Sequence, residues 1–131
     1  TVNLRFDSST QDFSVLAWVN RDLASQNQAV VDKRDGNNDG WYIKLDIDNS
    51  VQCSVDTIDF NSTTTISANT WYHVGCVVDR NGNGQIYVNG SADGTPVAIS
   101  SEPMATTADV GIGKSLYGST QYDGYIDDRI Q

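Results

Sequence analysis

Acidic and amide side chains recur at alternate positions in one Gly-containing segment of the chain. Asp35, Asn37 and Asp39, followed by Gly40, match the D-x-N-x-D-G start of a calcium loop, and Asp46 stands at its twelfth position. Oxygen ligands at alternate positions can converge on one hard cation because the following Gly allows a sharp turn. Such a loop continues into a helix, however, whereas residues 41–47 alternate like a strand. A calcium site and a plain hairpin turn are therefore the two interpretations.

A second group of candidate residues combines aromatic rings with planar polar groups. Sugars bind to such sets because ring faces receive their C–H groups and polar side chains exchange hydrogen bonds with their hydroxyls. If the predicted strands that contain these residues share one curved sheet, their solvent-facing positions form one such surface. The predicted ligand-binding residues on it are Tyr42, Lys44, Gln52, Ser54, His73, Gln85, Tyr87 and Asn89. An ordinary solvated sheet face is the other interpretation.

Two further tyrosines and the three tryptophans are large enough to stack on a ligand or to fill a core. Tyr117 and Tyr122, in and after a predicted loop, could contact a ligand at the sandwich edge or cover the open end of the core. Trp18, Trp41 and Trp71 lie in alternating apolar runs, and we predict that they anchor the core.

The sequence shows no clear combination of residues that could catalyse a hydrolytic reaction. Glycoside hydrolysis needs two carboxylates at a fixed separation, and the only Glu, Glu102, lies in a predicted loop. An Asp pair such as Asp56 with Asp59 would have to replace a Glu pair. A serine nucleophile lacks a G-x-S-x-G elbow, and His73 is the only histidine. We therefore predict a binding module that is not an enzyme, with a glycoside hydrolase-related domain as the remaining enzymatic alternative.

Composition narrows the class of partner. The 17 acidic and 8 basic residues give a formal net charge of -9, which argues against nucleic acid as a partner because phosphate binding needs clustered Lys and Arg. An acidic chain suits solubility outside a cell, or affinity for divalent cations. No apolar run approaches the ~20 residues that cross a bilayer, so membrane insertion is not expected.

The elements that must position these residues are predicted to be strands. Runs rich in Val, Ile, Tyr, Trp and Thr alternate with clusters of Asn, Asp, Gly and Ser, and 131 residues suit one domain with a single core. Nine or more strands of this length favour an all-β sandwich of two antiparallel sheets. The predicted strands are 2–6, 13–20, 28–33, 40–46, 50–56, 71–79, 85–89, 109–114 and 122–130, with weaker candidates at 63–66 and 97–100.

Local chemistry predicts the turns and limits the role of the cysteines. Residues 81–84 (Asn-Gly-Asn-Gly) accept positive φ and predict that residues 71–89 form a hairpin, and residues 48–50 predict another turn.

Cys53 and Cys76 each lie in a run of β-formers. They are buried free thiols or a disulfide between neighbouring strands, and a zinc site is excluded because no C-x-x-C occurs.

Five segments, in this order, resemble those of laminin G-like domains of the concanavalin A-type lectin/glucanase superfamily, which includes pentraxin-like proteins. Phe13–Val19 resembles the opening strand with its Trp, and Gly40–Leu45 resembles a hairpin arm. Ile66–Val74 resembles the Trp-x-His-Val strand, and Gln85–Gly90 resembles the Leu-Tyr-Val-Asp-Gly strand. Val110–Gly113 with Tyr122–Ile130 resembles the closing Ile-Gly and Gly-x-Ile-Asp-Asp pattern.

The resemblance implies a jelly roll over residues 1–131 and a role in binding glycans or proteins. The resemblance also implies that the domain is one module of an extracellular multidomain protein, as is common in the family. We therefore expect a lectin-like, carbohydrate-binding module, secreted or on a cell or virion surface, taken from a longer protein. A protein-binding adhesion or structural module is the alternative. Asp127 and Asp128 resemble the family's acidic pair, which implies a hydrogen-bond acceptor or a cation ligand.

Overall fold

The strands coincide with runs of β-branched and aromatic residues, which pack well on a pleated surface. The computed structural model describes residues 11–35, 37, 39–99, 106–115 and 124–128. Within these ranges it has no helix, and hence none that could cross a membrane. The described strands are β1 (Phe13–Arg21), β2 (Gln28–Arg34), β3 (Gly40–Leu45), β4 (Val51–Val55), β5 (Ile58–Asn61), β6 (Tyr72–Val78), β7 (Asn83–Val88), β8 (Ser91–Ala98), β9 (Gly111–Ile112) and β10 (Gly124–Asp128).

These strands form two five-stranded antiparallel sheets. Sheet 1 has the order β10-β1-β6-β7-β8, and sheet 2 has the order β5-β4-β3-β2-β9. The chain leaves sheet 1 after β1, builds most of sheet 2 with β2 to β5, and then returns to sheet 1 with β6. The predicted all-β sandwich, a jelly roll of two antiparallel sheets, is confirmed.

The core lies between the sheets and is filled by alternate residues of the strands. On β3, Trp41, Ile43 and Leu45 are each at most 2% exposed, and the Trp41 ring centroid lies 5.4 Å from that of Phe13. The prediction that Trp41 anchors the core is therefore confirmed. The alternation of residues 41–47 predicts that Ile47 also points inward, but Ile47 lies in the turn beyond β3 and is 60% exposed.

Two strands, β5 and β8, differ from the expected pattern because polar or loop-forming residues interrupt their runs of β-formers. The weak candidate 63–66 is not a strand, and the missed strand β5 lies just before it. Strand β8 starts at Ser91, although only its end was expected, because Asp93, Gly94 and Pro96 resemble a loop. An edge strand tolerates such residues, and β8 pairs only with β7. The candidate strand 2–6 lies outside the described residues.

The two predicted turns join neighbouring strands. Strands β6 and β7 pair antiparallel, and the N–H of Gly82 donates to the carbonyl of Asp79 at 3.0 Å, so the hairpin over residues 71–89 is confirmed. The turn at residues 48–50 joins β3 to β4, with Asn49 at a φ of 70°. There Asp48 Oδ1 accepts the Ser50 N–H at 2.8 Å, and hydrogen bonding from Ser50 lowers the pKa of Asp48.

A disulfide crosses the core. Cys53 on β4 and Cys76 on β6 are bonded, with their Cα atoms 6.1 Å apart and each residue 1% exposed. The disulfide interpretation is thus correct and the free-thiol one is wrong. The two strands are not neighbours in one sheet, however, because β4 belongs to sheet 2 and β6 to sheet 1. The bond therefore ties the two layers together.

A carboxylate joins the sheets along one side. Asp93 on edge strand β8 accepts hydrogen bonds from Thr63 N (2.5 Å), Thr63 Oγ1 (2.6 Å) and Thr64 N (3.2 Å), and also from Thr64 Oγ1. Next to it, a Cβ on Gly94 would lie 2.1 Å from the carbonyl oxygen of Asn61 on β5, so only glycine fits at this φ of +79°. The edges of β5 and β8 consequently lie against each other.

Acid should weaken this contact. Desolvation raises the pKa of Asp93, but the hydrogen bonds from Thr63 and Thr64 outweigh it and lower the pKa to about 2. Because this value lies below the ordinary 3.8, the contribution of Asp93 to stability is complete above about pH 4 and is lost as the pH falls through about 2. We expect Asp93→Asn to cost about 1 kcal/mol at pH 7, or about 4 °C in Tm.

Chemical denaturation between pH 7 and pH 2 measures this effect. The difference in unfolding free energy between the native chain and Asp93→Asn should shrink below about pH 4. The matched control is Asp22→Asn, which changes an exposed carboxylate in the loop after β1. A difference between the native chain and Asp93→Asn that stays constant down to pH 2 would contradict the proposed role of the carboxylate.

Candidate functional site

The residues predicted to share one sugar-binding surface divide between the two sheets. The prediction of one continuous surface is therefore wrong, because the connection after β5 carries the chain from one sheet to the other. Chain order alone does not show this crossing. Tyr42 and Lys44 on β3 and Gln52 and Ser54 on β4 belong to sheet 2, whereas His73 on β6, Gln85 and Tyr87 on β7 and Asn89 after β7 belong to sheet 1.

The outer face of sheet 1 presents an aromatic surface. Trp18 on β1 pairs in register with His73 on β6, and their ring centroids lie 5.2 Å apart with the planes tilted by 51°. Trp18 is 47% exposed. Tyr87 lies on β7, one strand beyond His73, and is partly exposed. We call Trp18, His73 and Tyr87 the aromatic platform.

A glycine and a leucine complete the platform between its rings. Gly75 pairs with Leu16 on one side and with Tyr87 on the other. A Cβ on Gly75 would lie 2.6 Å from Leu16 Cδ2 and 3.7 Å from Tyr87 Cβ, so the leucine side chain leans across the glycine. Apolar surface is therefore continuous between the aromatic side chains.

Two tryptophans were placed wrongly by the sequence. Trp18 and Trp71 are each 47% exposed and do not anchor the core. The signal that could have identified Trp18 is the alternation of its own strand. Val15, Ala17 and Val19 point inward on β1, which leaves position 18 on the outer face.

Two of the predicted ligand-binding residues of sheet 1 have amide groups that already bind the backbone. Asn89 Oδ1 accepts the His73 N–H at 2.9 Å, with Asn89 at a φ of 51°. Gln85 Nε2 donates to the carbonyls of Ile86 (3.0 Å) and Asp93 (2.9 Å), where the register of β7 and β8 shifts. The Asn89 side chain thus joins the end of β7 to β6, and the Gln85 side chain joins β7 to β8. Both side chains stabilise the strands that carry the platform.

The outer face of sheet 2 contains a polar cleft of about 220 Å³, which we call the sheet 2 cleft. Its floor consists of buried Tyr42 and Ser54, and its rim includes exposed Thr57 and Asp59. Reasoning from the sequence identified Tyr42 and Ser54 as binding residues, considered Asp56 and Asp59 only as a possible catalytic pair, and missed the other two members of the lining. The lining residues are Arg34, Tyr42, Ser54, Asp56, Thr57 and Asp59.

Tyr42 organises the cleft. Its hydroxyl lies 2.7 Å from Gln52 Oε1 and 3.2 Å from Asp59 Oδ1, and the Arg34 guanidinium carbon lies 4.0 Å from its ring centroid. Burial, together with the Asp59 carboxylate, raises the pKa of Tyr42 far above its ordinary value. The phenol therefore stays protonated. Lys44 is more distant, with Nζ 5.6 Å from the same ring centroid and 3.4 Å from Asp46 Oδ1.

The acidic segment before β3 forms a turn. Asp35 Oδ1 accepts the N–H groups of Asn37 (2.9 Å) and Asp39 (3.2 Å), and Gly40 then begins β3 instead of a helix. The hairpin-turn interpretation is confirmed. Desolvation and the nearby carboxylates of Asp35 and Asp56 raise the pKa of Asp39. Across the described ranges no group of three or more His, Cys, Asp or Glu residues is placed to hold a metal ion, and calcium binding stays a prediction.

Two predicted site residues cannot be placed. Tyr117 and Tyr122 lie outside the described residues, as does Glu102. Backbone pairing extends sheet 1 beyond Trp18, which lies opposite Asp127 on β10. The aromatic platform and the sheet 2 cleft are consequently the two candidate sites that the described residues form.

Solved structures with the same fold come from several classes of protein. One is a Bacteroides ovatus protein for which carbohydrate binding has been proposed (TM-score 0.72, 18% identity, 89% of this chain and 36% of that chain). Another is the binding domain of botulinum neurotoxin DC in complex with rat synaptotagmin II (0.67, 18%, 94% and 32%). A third is domain 4 of AbnA, an extracellular GH43 arabinanase of Geobacillus stearothermophilus, in complex with arabinotriose (0.64, 18%, 91% and 58%).

The low identity and partial coverage of these solved structures limit the comparison to the fold. The chain spans 36% of the Bacteroides protein and 32% of the neurotoxin binding domain, and at 18% identity the likeness establishes the fold alone. No curated protein sequence matches the chain significantly. The Laminin_G_3 family model, described as the concanavalin A-like lectin/glucanases superfamily, matches residues 1–129. Because that match covers nearly the whole chain and agrees with the two-sheet sandwich, the protein belongs to the concanavalin A-like lectin/glucanase superfamily.

Proposed function

We propose that this domain is a non-catalytic carbohydrate-binding module whose ligand lies on the aromatic platform of sheet 1. The observation that carries the proposal is the position of Trp18, which is 47% exposed on the outer face of a sheet and lies against His73. A large ring that is half open to solvent on a rigid strand is suited to contact with the C–H face of a sugar. We infer an extracellular location from this kind of ligand.

The platform offers both kinds of contact that a sugar needs. Trp18 and Leu16 supply apolar surface, while the imidazole of His73 and the hydroxyl of Tyr87 exchange hydrogen bonds with sugar hydroxyls. Trp18 and Tyr87 lie two strands apart, so the platform extends about 10 Å across the sheet. An oligosaccharide or polysaccharide chain suits this length better than a single sugar ring.

The comparisons support this proposal at the level of the superfamily. A domain with this fold was solved with arabinotriose, and carbohydrate binding has been proposed for another. We propose no catalytic role for the platform, because glycoside hydrolysis needs a pair of carboxylates and its three residues include none.

Protein binding is the second candidate function, and one surface favours it. Leu23 and Ile47 are 49% and 60% exposed in two loops at the same end of the sandwich. Asn49 holds these loops together, because its Oδ1 accepts the Ser25 N–H at 2.7 Å and lies 3.3 Å from Arg21 Nη1. Exposed apolar side chains on ordered loops can form part of a protein interface. The neurotoxin domain solved with synaptotagmin II is a protein of this fold with a protein ligand.

A panel of immobilised polysaccharides and a glycan array, each with and without chelator, test the proposed function. We expect binding to at least one polysaccharide, and we expect His73→Ala and Tyr87→Ala each to weaken it about five- to tenfold with little change in Tm. Lys44→Ala, which changes the opposite face, is the matched control and should bind like the native domain. A lower Tm in chelator, together with calcium found by metal analysis, would support a calcium ion at residues 35–39, and an unchanged Tm would contradict it.

Two outcomes would reject carbohydrate binding on the platform. One is the absence of binding to every glycan by a folded domain. The other is full affinity in both the His73→Ala and the Tyr87→Ala variants. Capture of a protein partner that depends on Leu23 or Ile47 would then favour the second candidate function.

A further inference from the structure

We propose that the sheet 2 cleft is a second ligand site and that it binds an amino sugar through its free ammonium group. The cleft lies on the face of the sandwich opposite the platform, between β2, β3, β4 and the turn before β5. None of its lining residues belongs to the platform. The proposal therefore holds or fails independently of the proposed function.

The size and lining of the cleft suit a single sugar ring. Its volume of about 220 Å³ is below the roughly 300 Å³ at which pockets for drug-sized ligands begin, so the cleft suits a small ligand. All six lining residues carry polar side chains, and the floor side chains of Tyr42 and Ser54 are 6% and 1% exposed. A polyhydroxylated ring can form hydrogen bonds to such walls on several sides.

The charge of the cleft favours a cation. Arg34 is already neutralised, since its Nε and Nη2 lie 3.1 Å and 2.7 Å from the two carboxylate oxygens of buried Asp32. In the part of the chain that the structure describes, neither Asp56 nor Asp59 forms a close ion pair with Lys or Arg, although the charge of Asp59 acts on Arg34 at longer range. Two carboxylates therefore set the local charge, and an ammonium group among them gains a charge-assisted hydrogen bond.

Asp59 is held in position to receive the ammonium group. Its Oδ1 lies 3.2 Å from the Tyr42 hydroxyl, which itself lies 2.7 Å from Gln52 Oε1. Gln52 Nε2 in turn donates to Asn61 Oδ1 at 3.1 Å. The single proton of the Tyr42 hydroxyl is shared between Gln52 Oε1 and Asp59 Oδ1, so the contact restrains the exposed Asp59 carboxylate. Less side-chain entropy is therefore lost when a ligand binds.

An amino sugar fits the cleft better than a lysine side chain of a partner protein. Both carry an ammonium group, but lysine reaches it through four methylene groups, which would lie against polar walls. Each hydroxyl of a sugar ring finds instead a hydroxyl, carboxylate or guanidinium group. The shape and the charge of the cleft thus favour the sugar.

Calorimetric or NMR titration with glucosamine, glucose and N-acetylglucosamine tests the proposal. We expect glucosamine to bind with a dissociation constant on the order of millimolar, as suits a ligand of this size, and the two neutral sugars at least about tenfold more weakly. Raising the salt concentration from about 0.05 M to 0.5 M should weaken glucosamine binding severalfold because the contact is an exposed ion pair.

Variants separate this site from the platform. Asp59→Asn should weaken glucosamine binding about tenfold, and Thr57→Ala, a second exposed change on the rim, about threefold. The matched control is Asp46→Asn, which removes a carboxylate just after β3 and outside the cleft and should leave glucosamine affinity unchanged. Trp18→Ala should also leave it unchanged, whereas that variant lowers polysaccharide affinity if the proposed function is correct.

Three results would overturn the proposal. The first is equal affinity for glucosamine and glucose. The second is unchanged glucosamine affinity in Asp59→Asn. The third is tighter binding of Nα-acetyl-lysine than of glucosamine, which would identify the cleft as a site for a protein side chain.

Discussion

Replacing Trp18 with alanine should weaken polysaccharide binding about 30-fold while lowering Tm by no more than about 2 °C. Tryptophans at the centre of an interface typically contribute about 2 kcal/mol or more, which corresponds to this factor. Stability should change little because Trp18 is 47% exposed and its strand is held by the inward side chains of β1. Affinity gel electrophoresis gives the change in binding, and thermal unfolding gives the change in Tm.

Two comparisons make this prediction specific. Trp18→Phe keeps an aromatic ring on the platform and should recover most of the affinity. Ile112→Ala removes a side chain that is 49% exposed on β9 of the other sheet, so it controls for the loss of exposed apolar surface. If Trp18→Ala and Ile112→Ala bind polysaccharide as tightly as the native domain, the ligand does not contact the platform.

Removal of the disulfide should cause the largest loss of stability. The bond between Cys53 and Cys76 closes a loop with a sequence separation of 23 residues, for which the chain-entropy relation gives about 3 kcal/mol. For a domain of this size that loss corresponds to about 10 °C in Tm. The double variant Cys53→Ala/Cys76→Ala should show this shift by calorimetry, and its urea midpoint should fall accordingly.

Reduction of the native domain is the matched control for the double variant. Both cysteines are 1% exposed, so we expect dithiothreitol to act slowly on the folded domain and quickly in denaturant. Refolded, reduced protein should then melt close to the double variant. A double variant with the Tm of the native domain would show that the bond between the two sheets adds nothing to stability.

Patterns within a single strand predicted the fold well. The alternation around Trp41, Ile43 and Leu45 identified the face of β3 that fills the core, and residues 81–84 identified the hairpin, because both depend only on neighbours in sequence. The opposite face was expected to be exposed, but Tyr42 on it is only 6% exposed. Edge strand β8 was mostly missed, since residues such as Pro96 are tolerated only where one side of the strand has no partner. That condition depends on tertiary structure.

The candidate sites could be predicted only in part, because each depends on which strands are neighbours. Tyr87 and Tyr42 look alike in sequence as polar-face aromatics, yet they lie on opposite sheets. The partner of each ring comes from a distant segment. Trp18 meets His73 through pairing of β1 with β6, and Tyr42 meets Arg34 through pairing of β3 with β2. Alternation within β1 alone would have placed Trp18 on the outside.

The close approach of β5 and β8 also affects how copies of this domain behave at high concentration. Asp93 with Thr63 and Thr64, and Gly94 against Asn61, place the two strand margins against each other on that side of the sandwich. A strand from another molecule would have to displace these contacts before it could pair with edge strand β5 or β8. We therefore expect this flank to resist the intermolecular β-pairing that leads to fibrils.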